Sequence, residues 1–181
     1  MQKYTKKELF KIEKSIIFLV KYVTESNSNP KPLILHSVNV GTKLLELKIP
    51  LDIVVAGFLH DVVEDTKCTN KKIEKEFGKK VSRIVSALTQ DYKYKYYKDR
   101  WRNAEKRINK IGKYCWLIKM IDARDNLPYY STIIKKKLRI SEMMWKYKLV
   151  IRNSKKKNWS QLDEFKSCNS LVNEVKKKWK V

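Results

Sequence analysis

The sequence predicts an all-α protein, and three observations support this. Glycine and proline, which the turns of a β-sandwich or barrel require, number only four each among 181 residues. Apolar residues make up 43% of the chain, which is enough for a hydrophobic core. These apolar residues recur at intervals of three and four, the spacing of one helix face. We therefore expect helices joined by short loops in a single domain over residues 1–181.

Five helices are predicted in the N-terminal half, over residues 5–24, 33–47, 51–64, 69–78 and 81–89. Apolar residues at helical spacing define each one, and prolines, a threonine and a glycine mark several ends. The apolar face predicted for the first helix consists of Phe10, Ile16, Ile17, Val20 and Val23. The third helix contains residues 53–59, which are apolar on nearly every side, as in a helix that is buried all round.

The C-terminal half begins with a basic, tyrosine-rich connector at residues 91–98. Four further helices are predicted there, over residues 99–111, 114–126, 133–151 and 161–179. We expect Gly112 to end the first of these helices and Pro128 to stop the second. Ser160 and Asp163 have the spacing of a capping box and predict the start of the last helix.

The charge of the chain is strongly positive, because 42 basic and 19 acidic side chains give a formal net charge of +23. Such a charge attracts polyanions, among them nucleic acid, an acidic membrane surface and phosphate-rich small molecules. Lysines on solvated helix faces predict the same charge without any partner, so the charge alone selects no function. The three cysteines form no Cys-x-x-Cys pair, and no apolar stretch approaches the length that spans a bilayer. We expect a protein of the reducing cytoplasm.

The two histidines, His36 and His60, lie in predicted helices whose composition is otherwise that of a core. Asp61 follows His60 directly, and Glu64 and Asp65 come one helical turn later. Three neighbouring carboxylates repel one another, and a divalent cation relieves the repulsion while it coordinates oxygen and nitrogen. The alternative is a core histidine followed by a solvated acidic helix end.

A further acid, Asp122, interrupts the apolar helix predicted over residues 114–126. An acid in such a place is costly to bury unless it is paired or bound to a metal. Together with His36, His60 and Asp61, it offers two imidazoles and two carboxylates. With water, this ligand set suits manganese or iron(II) in an octahedral shell better than a sulfur-ligated zinc site.

The order His36, His60-Asp61, Asp122 resembles the H…HD…D signature of the HD-domain phosphohydrolases. More narrowly, residues 56–66, AGFLHDVVEDT, resemble the hydrolase domain of RelA/SpoT-type alarmone enzymes and the small stand-alone alarmone hydrolases. Residues 119–127, KMIDARDNL, resemble the Lys-x-x-Asp-x-x-x-Asn-Leu element that follows in the same family. The resemblance covers residues 30–127, over half of the chain.

The resemblance implies an HD-domain helical bundle with a metal site in its core. The ligands that it implies for one divalent cation, Mn²⁺ by the habit of this family, are His36, His60, Asp61 and Asp122. Glu64 and Asp65 would lie beside the ion, where they would orient and deprotonate the attacking water.

The reaction that the resemblance implies is hydrolysis of the 3′-pyrophosphate of (p)ppGpp, a guanosine alarmone, to GDP or GTP and pyrophosphate. Asn126 would donate a hydrogen bond to a sugar hydroxyl of the substrate. Lys119 would also contact the substrate. The alternative interpretation is that Lys119 is a lysine on the protein surface. An anionic nucleotide substrate also gives the positive charge a use.

One part of the family pattern is missing. A basic Arg-Lys pair that packs on guanine usually precedes the first metal histidine, and those positions hold Asn27 and Ser28, which do not stack as a guanidinium does. Lys31 or the connector at residues 92–97 would then hold the base, or the substrate is another nucleotide or phosphate ester. A third alternative is a basic nucleic-acid-binding module with a vestigial metal site, although no recognisable binding motif supports it.

Overall fold

A computed structural model describes residues 4–29, 31–133 and 137–180, and these residues form helices and connecting turns without a β-strand. The all-α prediction is confirmed. The helices of the described residues are α1 (Lys6–Ser26), α2 (Leu33–Glu46), α3 (Leu51–Leu59), α4 (Val62–Asp65), α5 (Asn70–Phe77), α6 (Lys79–Leu88), α7 (Tyr97–Ile111), α8 (Lys113–Ile133), α9 (Lys137–Lys156) and α10 (Asp163–Trp179).

The chain divides into two compact units, Met1–Gln90 and Asp91–Val181. The N-terminal unit contains α1–α6 and the C-terminal unit contains α7–α10. The single-domain organisation stays a prediction. Within the described residues, no helix combines the length and the apolar character that crossing a membrane requires.

Helix α3 is the centre of the N-terminal unit, where it packs against α1, α2 and α6. Every residue from Ile53 to Leu59 is buried, which confirms the prediction of a helix buried all round. Its crossing with α2 is close because both helices carry a glycine there. A Cβ at Gly41 would overlap the ring of Phe58, and a Cβ at Gly57 would overlap the end of the Leu44 side chain. These two glycines set the distance between α2, which carries His36, and α3, which ends just before His60.

Helix α1 buries a different face from the one predicted. Three of the five predicted face residues, Phe10, Ile17 and Val20, are exposed. The residues that it buries are Ile12, Ser15, Leu19, Tyr22 and Val23. The prediction was wrong because α1 carries apolar residues on two faces, and the choice between them depends on α3, against which the helix packs. A capping box of Thr5 and Glu8 begins the helix, and its Thr-x-x-Glu spacing is visible in the sequence.

The helix predicted over residues 51–64 is interrupted. Helix α3 ends at Leu59, His60 and Asp61 form a turn, and α4 follows as a single turn. Asp61 has φ −103° and ψ −7°, outside the usual helical range. In this conformation the carboxylate of Asp61 contacts Lys31, His36 and His60. The last turn of the predicted helix is present as α4, since Asp65 N–H donates to Asp61 O at 2.9 Å.

Helix α8 is the centre of the C-terminal unit, where it packs against α7, α9 and α10. All residues from Cys115 to Ala123 are buried. The prediction that Pro128 stops this helix was wrong, because α8 continues through Pro128 to Ile133. A proline inside a helix costs about 3 kcal/mol. Packing of α8, including the fully buried Leu127, outweighs this local cost.

The last two helices also differ from the prediction. Helix α9 is described over Lys137–Lys156 and extends past the predicted end at residue 151, while residues 134–136 of the predicted helix lie outside the described residues. Helix α10 begins at Asp163 with Leu162 as its N-cap residue, and the capping box predicted for Ser160 and Asp163 is not formed. Leu162 N–H donates to Trp159 O at 3.1 Å, so Ser160 lies inside a turn. The other predicted helices match α1, α2, α5, α6 and α7 within two residues at either end.

Candidate metal centre

Three predicted ligands of the N-terminal unit lie together. His36 Nε2 is 3.2 Å from His60 Nε2, and Asp61 Oδ2 is 3.5 Å from His36 Nε2. Asp61 Oδ1 is 3.3 Å from His60 Nε2. All three side chains are buried. Helix α2 and the turn after α3 therefore direct two imidazole nitrogens and one carboxylate toward a common point.

The ring of His60 is oriented by the helix that precedes it. Its Nδ1 lies 2.8 Å from Gly57 O, where a ring N–H donates to the carbonyl. With one proton fixed on Nδ1, Nε2 faces His36 and Asp61, where it holds a second proton in the metal-free protein or offers its lone pair to a cation. A backbone carbonyl that fixes the second nitrogen is the usual arrangement for a histidine that binds a metal.

The donor set and its spacing fit a divalent cation. Two ligand atoms at bonds of about 2.1 Å lie about 3.0 Å apart at a right angle and about 3.4 Å apart at a tetrahedral angle. The separations of 3.2, 3.3 and 3.5 Å among the three side chains match these values. Two imidazole nitrogens with lone pairs face each other unfavourably unless a proton or a cation lies between them. The buried cluster is thus suited to a divalent metal ion.

Lys31 is buried against this cluster, and its Nζ lies 2.5 Å from Asp61 Oδ2. Burial raises the pKa of the Asp61 carboxyl. The charges of His60 and Lys31 and the hydrogen bonds from His36 and His60 lower this pKa by more than burial raises it. The net result is an Asp61 pKa well below its ordinary value. Asp61 therefore remains a carboxylate, the form that binds a metal. The predicted contact of Lys31 with substrate stays a prediction beside this ion pair.

Asp65 lies next to the cluster in a more exposed position. Burial, and then the charge of Asp61, raise the pKa of its carboxyl to about 6. Asn29 Nδ2 donates to Asp65 Oδ2 at 3.0 Å. Ser28 holds the same residue through its backbone N–H and its hydroxyl, which donate to Asp65 O at 2.9 and 3.0 Å. The loop before α2 thus positions Asp65, a role that the sequence did not reveal for Ser28 and Asn29.

Glu64 is held differently. Its Oε2 accepts a hydrogen bond from Gln90 N–H at 2.9 Å, and its Oε1 accepts one from Gln90 Nε2 at 3.0 Å. These two bonds connect α4 to Gln90, the second residue after α6. The sequence contains no signal for the pair, because 26 residues separate its members. The sequence gives a weak indication for Asn29, because Asn27 and Asn29 have the spacing of residues whose side chains close a turn.

The C-terminal unit holds the other predicted residues together on α8. Asp122 is buried, its Oδ1 accepts a short hydrogen bond from Asn126 Nδ2, and its Oδ2 lies 3.2 Å from Lys119 Nζ. Lys119 is 3% exposed, so its alternative as a surface lysine is wrong. Its ammonium lies 5.6 Å from the ring centroid of Trp101. The predicted roles of Asp122 as a ligand and of Lys119 and Asn126 in substrate binding stay predictions.

A helical chain with a buried His-His-Asp cluster directed at one point defines a protein built to hold a metal ion. Residues 18–121 match the family model described as HD domain, which is more than half of the chain. The protein belongs to the HD-domain family.

Curated relatives also match part of the chain. A guanosine-3′,5′-bis(diphosphate) 3′-pyrophosphohydrolase of Aquifex aeolicus is 32% identical over 109 residues, which are 59% of this chain and 16% of that protein. The bifunctional (p)ppGpp synthase/hydrolase SpoT of Escherichia coli K12 is 36% identical over 72 residues, 40% of this chain and 10% of that protein. The chain thus corresponds to a small part of the length of these relatives.

Solved structures share the fold. The structure of a metazoan ortholog of SpoT that hydrolyses ppGpp and plays a role in starvation responses has a TM-score of 0.68 and 24% identity, covering 93% of this chain and 94% of that one. A crystal structure from Listeria monocytogenes EGD-e has a TM-score of 0.62 and 22% identity, covering 77% of this chain and 94% of that one. At these identities the likeness establishes the fold.

Proposed function

We propose that this protein is a metal-dependent phosphohydrolase that removes the 3′-pyrophosphate of guanosine alarmones. The observation that carries the proposal is the buried cluster of His36, His60 and Asp61 with Asp65 beside it. A relative named as a guanosine-3′,5′-bis(diphosphate) 3′-pyrophosphohydrolase matches 59% of this chain and a (p)ppGpp synthase/hydrolase matches 40% of it, which supports the substrate class.

The proposed ligands are His36, His60, Asp61 and Asp122, and the proposed ion is Mn²⁺. The first three already have the separations of cis ligands. Asp122 is proposed from the order of the H…HD…D signature and because it is a buried carboxylate. A bound divalent cation would supply positive charge that offsets the phosphoryl oxygens and favours loss of a proton from water.

Asp65 is the proposed general base. With a pKa of about 6 its carboxyl is ionised at neutral pH and still has appreciable proton affinity, which is the balance that a base requires. Ser28 and Asn29 hold it in place, so it accepts the proton of the attacking water from a fixed direction. Glu64 remains a proposed catalytic residue that helps to orient the water, and its two bonds to Gln90 also keep α4 in place.

The substrate contacts belong to residues with donors suited to an anionic nucleotide. Lys119 and Lys31 carry buried ammonium groups that attract phosphate. Asn126 has an amide that hydrogen-bonds a ribose hydroxyl when it exchanges its bond to Asp122. All three are proposed substrate residues of the same reaction.

A second candidate is an HD-domain phosphohydrolase for another nucleotide or phosphate ester. The observation that favours it concerns Asn27 and Ser28, which occupy the positions of the family's basic Arg-Lys pair. Asn27 closes a side-chain turn with Asn29, and both hydrogen-bond donors of Ser28 are directed to Asp65. Neither residue is built to stack on a guanine base.

The test is a hydrolysis assay of the full chain loaded with Mn²⁺ against guanosine tetraphosphate, guanosine pentaphosphate and a panel of other nucleotides. We expect release of pyrophosphate from the two alarmones, and loss of at least about 100-fold in kcat for Asp65→Asn, the usual size of a general-base effect. His60→Ala and Asp61→Asn should lose both activity and bound metal.

The matched control is Asp163→Asn, which removes an exposed carboxylate of α10 and should keep wild-type activity. Asp122→Asn tests the fourth ligand through the dissociation constant of Mn²⁺, which should rise. Turnover confined to other nucleotides would favour the second candidate. A folded, metal-loaded protein that hydrolyses none of these compounds would refute the first candidate and, for nucleotide substrates, the second.

A further inference from the structure

A continuous run of exposed residues, 92–96, precedes α7 in the C-terminal unit. Tyr92, Tyr94 and Tyr96 are 60%, 40% and 66% exposed, and a lysine separates each from the next. Large exposed aromatic side chains that lie close together on a surface usually mark a binding site. This run, together with Arg100, is here called the tyrosine loop.

The tyrosine loop is held in a defined conformation. Arg100 Nε donates to Tyr94 O at 2.8 Å, and its Nη2 donates to Lys95 O at 3.2 Å. The same guanidinium lies 4.7 Å from the ring centroid of Tyr92, a stacking distance. One arginine fork therefore fixes the backbone of the loop and the first of its rings together.

A second set of bonds positions the middle of the loop. Asn103 Nδ2 donates to the hydroxyl of Tyr94 at 3.1 Å. Asp91 turns the chain before the loop, since its Oδ1 accepts from Lys93 N–H at 3.1 Å and its carbonyl accepts from Tyr94 N–H at 3.3 Å. A surface that is ordered before binding loses less conformational entropy when a ligand arrives.

The surroundings of the loop are strongly positive. Residues 91–110 contain eight basic and three acidic side chains, a net charge of +5. Two of the acids are engaged locally, because Asp99 pairs with Arg102 at 2.9 Å and Glu105 pairs with Arg152 at 3.0 Å. Two of the basic side chains lie beside the rings, with Lys95 Nζ 5.8 Å from the centroid of Tyr96 and the Arg100 guanidinium on Tyr92.

We propose that the tyrosine loop binds single-stranded nucleic acid, as a function separate from the metal centre. Exposed aromatic rings with interleaved cations provide stacking surfaces for successive bases and positive charge for the backbone that joins them. Three rings suit a chain of bases better than a single nucleotide. A duplex keeps its bases stacked on each other and cannot use the rings. A membrane surface is disfavoured, because residues 91–98 contain no aliphatic side chain to insert.

The test measures fluorescence anisotropy of the full chain with a labelled oligouridylate of about 12 nucleotides, within the range that such surfaces occupy. Its oligothymidylate counterpart and an abasic strand of equal length are measured in parallel. We expect Tyr92→Ala/Tyr96→Ala to weaken binding of either base-containing strand by at least about tenfold, since each stacked base contributes measurably. Tyr92→Phe/Tyr96→Phe keeps both rings and should bind within about threefold of wild type. All four substitutions replace exposed residues, so folding should be unaffected.

The charge component has its own matched control. Replacing Lys93, Lys95 and Lys98 by glutamine should reduce the slope of log affinity against log salt by about 2, because each contacted phosphate of a single strand contributes about 0.7. Replacing Lys176, Lys177 and Lys178 of α10 removes the same charge elsewhere and should leave the slope unchanged.

Three outcomes would overturn the proposal. The abasic strand could bind as tightly as oligouridylate, which would mean that the bases are not stacked. The α10 lysine variant could lose as much affinity as the loop variant, which would mean that the whole charge of +23 attracts the strand diffusely. The alanine variant could raise the KM for the alarmone and leave nucleic-acid affinity unchanged, which would assign the rings to the substrate. The first two results do not depend on whether the chain hydrolyses an alarmone.

Discussion

Helices α3 and α8 are the buried centres of their units, and each is associated with a buried lysine–aspartate pair formed in a different way. On α8 the pair is local, since Lys119 and Asp122 are three residues apart on one helix and Asn126 supplies a further bond one turn later. After α3 the pair is long-range, because Lys31 precedes α2 and Asp61 follows α3, thirty residues later.

The difference between the two pairs lies in the groups that surround each aspartate. The acid on α8 has two donors from its own helix. Asp61 has Lys31 and also two imidazoles whose Nε2 atoms are 3.2 Å apart. Burying ionised groups costs several kcal/mol each unless they are paired. The two imidazoles of the N-terminal cluster offer nitrogen lone pairs that the pairing of Lys31 with Asp61 does not use, and a cation can bind them.

The largest expected effect comes from removing Asp61. In metal-free protein, Asp61→Ala should lower the free energy of unfolding by about 3–5 kcal/mol, because it removes the carboxylate that offsets the charge of the buried Lys31 ammonium. Asp122→Ala should cost about 1 kcal/mol less, because Lys119 keeps its contact with the ring of Trp101. Denaturant unfolding of both variants measures the difference. A cost below about 1 kcal/mol for Asp61→Ala, or a reversed order, would contradict this comparison.

The crossing of α2 and α3 gives the next effect. Gly41→Ala should destabilise the protein by about 1–3 kcal/mol, since its new Cβ meets the buried ring of Phe58. Gly57→Ala is the matched control and should cost less, because the end of the flexible Leu44 side chain can move aside. Thermal unfolding and Mn²⁺ titration of both variants test this. Equal metal affinity in Gly41→Ala and wild type would show that the crossing does not set the position of His36 relative to His60.

Lys31 should compete with a metal ion for Asp61. Lys31→Met removes a positive charge 2.5 Å from the carboxylate, and we expect it to lower the dissociation constant of Mn²⁺ about tenfold, equivalent to about 1.4 kcal/mol. Isothermal titration calorimetry measures this constant. Lys80→Met, which removes an exposed ammonium, is the control and should bind as wild type does. Weaker binding in Lys31→Met would mean that the lysine supports the ligand set.

The smallest effect concerns the pH dependence of stability. Because the pKa of Asp65 is raised from 3.8 to about 6 in the folded state, its protonated form is favoured there. Stability from this group is complete below about pH 4 and is lost as the pH rises through about 6. In metal-free protein, Asp65→Asn should therefore be more stable than wild type above pH 6, by on the order of 1 kcal/mol after solvent screening.

Urea unfolding of the Asp65→Asn protein at pH 4 and pH 7.5 checks this prediction. The gain should disappear at the lower pH, and the same variant should lose hydrolysis. An Asp65→Asn protein that is less stable than wild type at pH 7.5 would show that the bond from Asn29 outweighs the cost of burial.

Several features of the protein were predictable from adjacent residues. The all-α class and most helix ends follow from periodicity, prolines and glycines, which act within a few positions. His36, His60 and Asp61 were predicted as ligands from their order and from a family motif, and the structure brings these three side chains together. The family string also placed Asp122 and Asn126 on one helix, four residues apart.

Other features depend on partners far along the chain. The buried face of α1, the turn at His60 and Asp61, and the continuation of α8 through Pro128 were mispredicted or missed, because packing outweighs local propensity in each. Lys31, Ser28, Asn29 and Gln90 join the site through contacts that span 26 to 37 residues.

The sequence by itself determined the helical class, the residues able to bind a metal and the excess of positive charge, since all three are properties of composition and short spacing. Only the tertiary structure decided which lysine pairs with which acid and how Asp65 is held. Those outcomes depend on the cost of burying charge, which exists only once distant segments exclude water from one another.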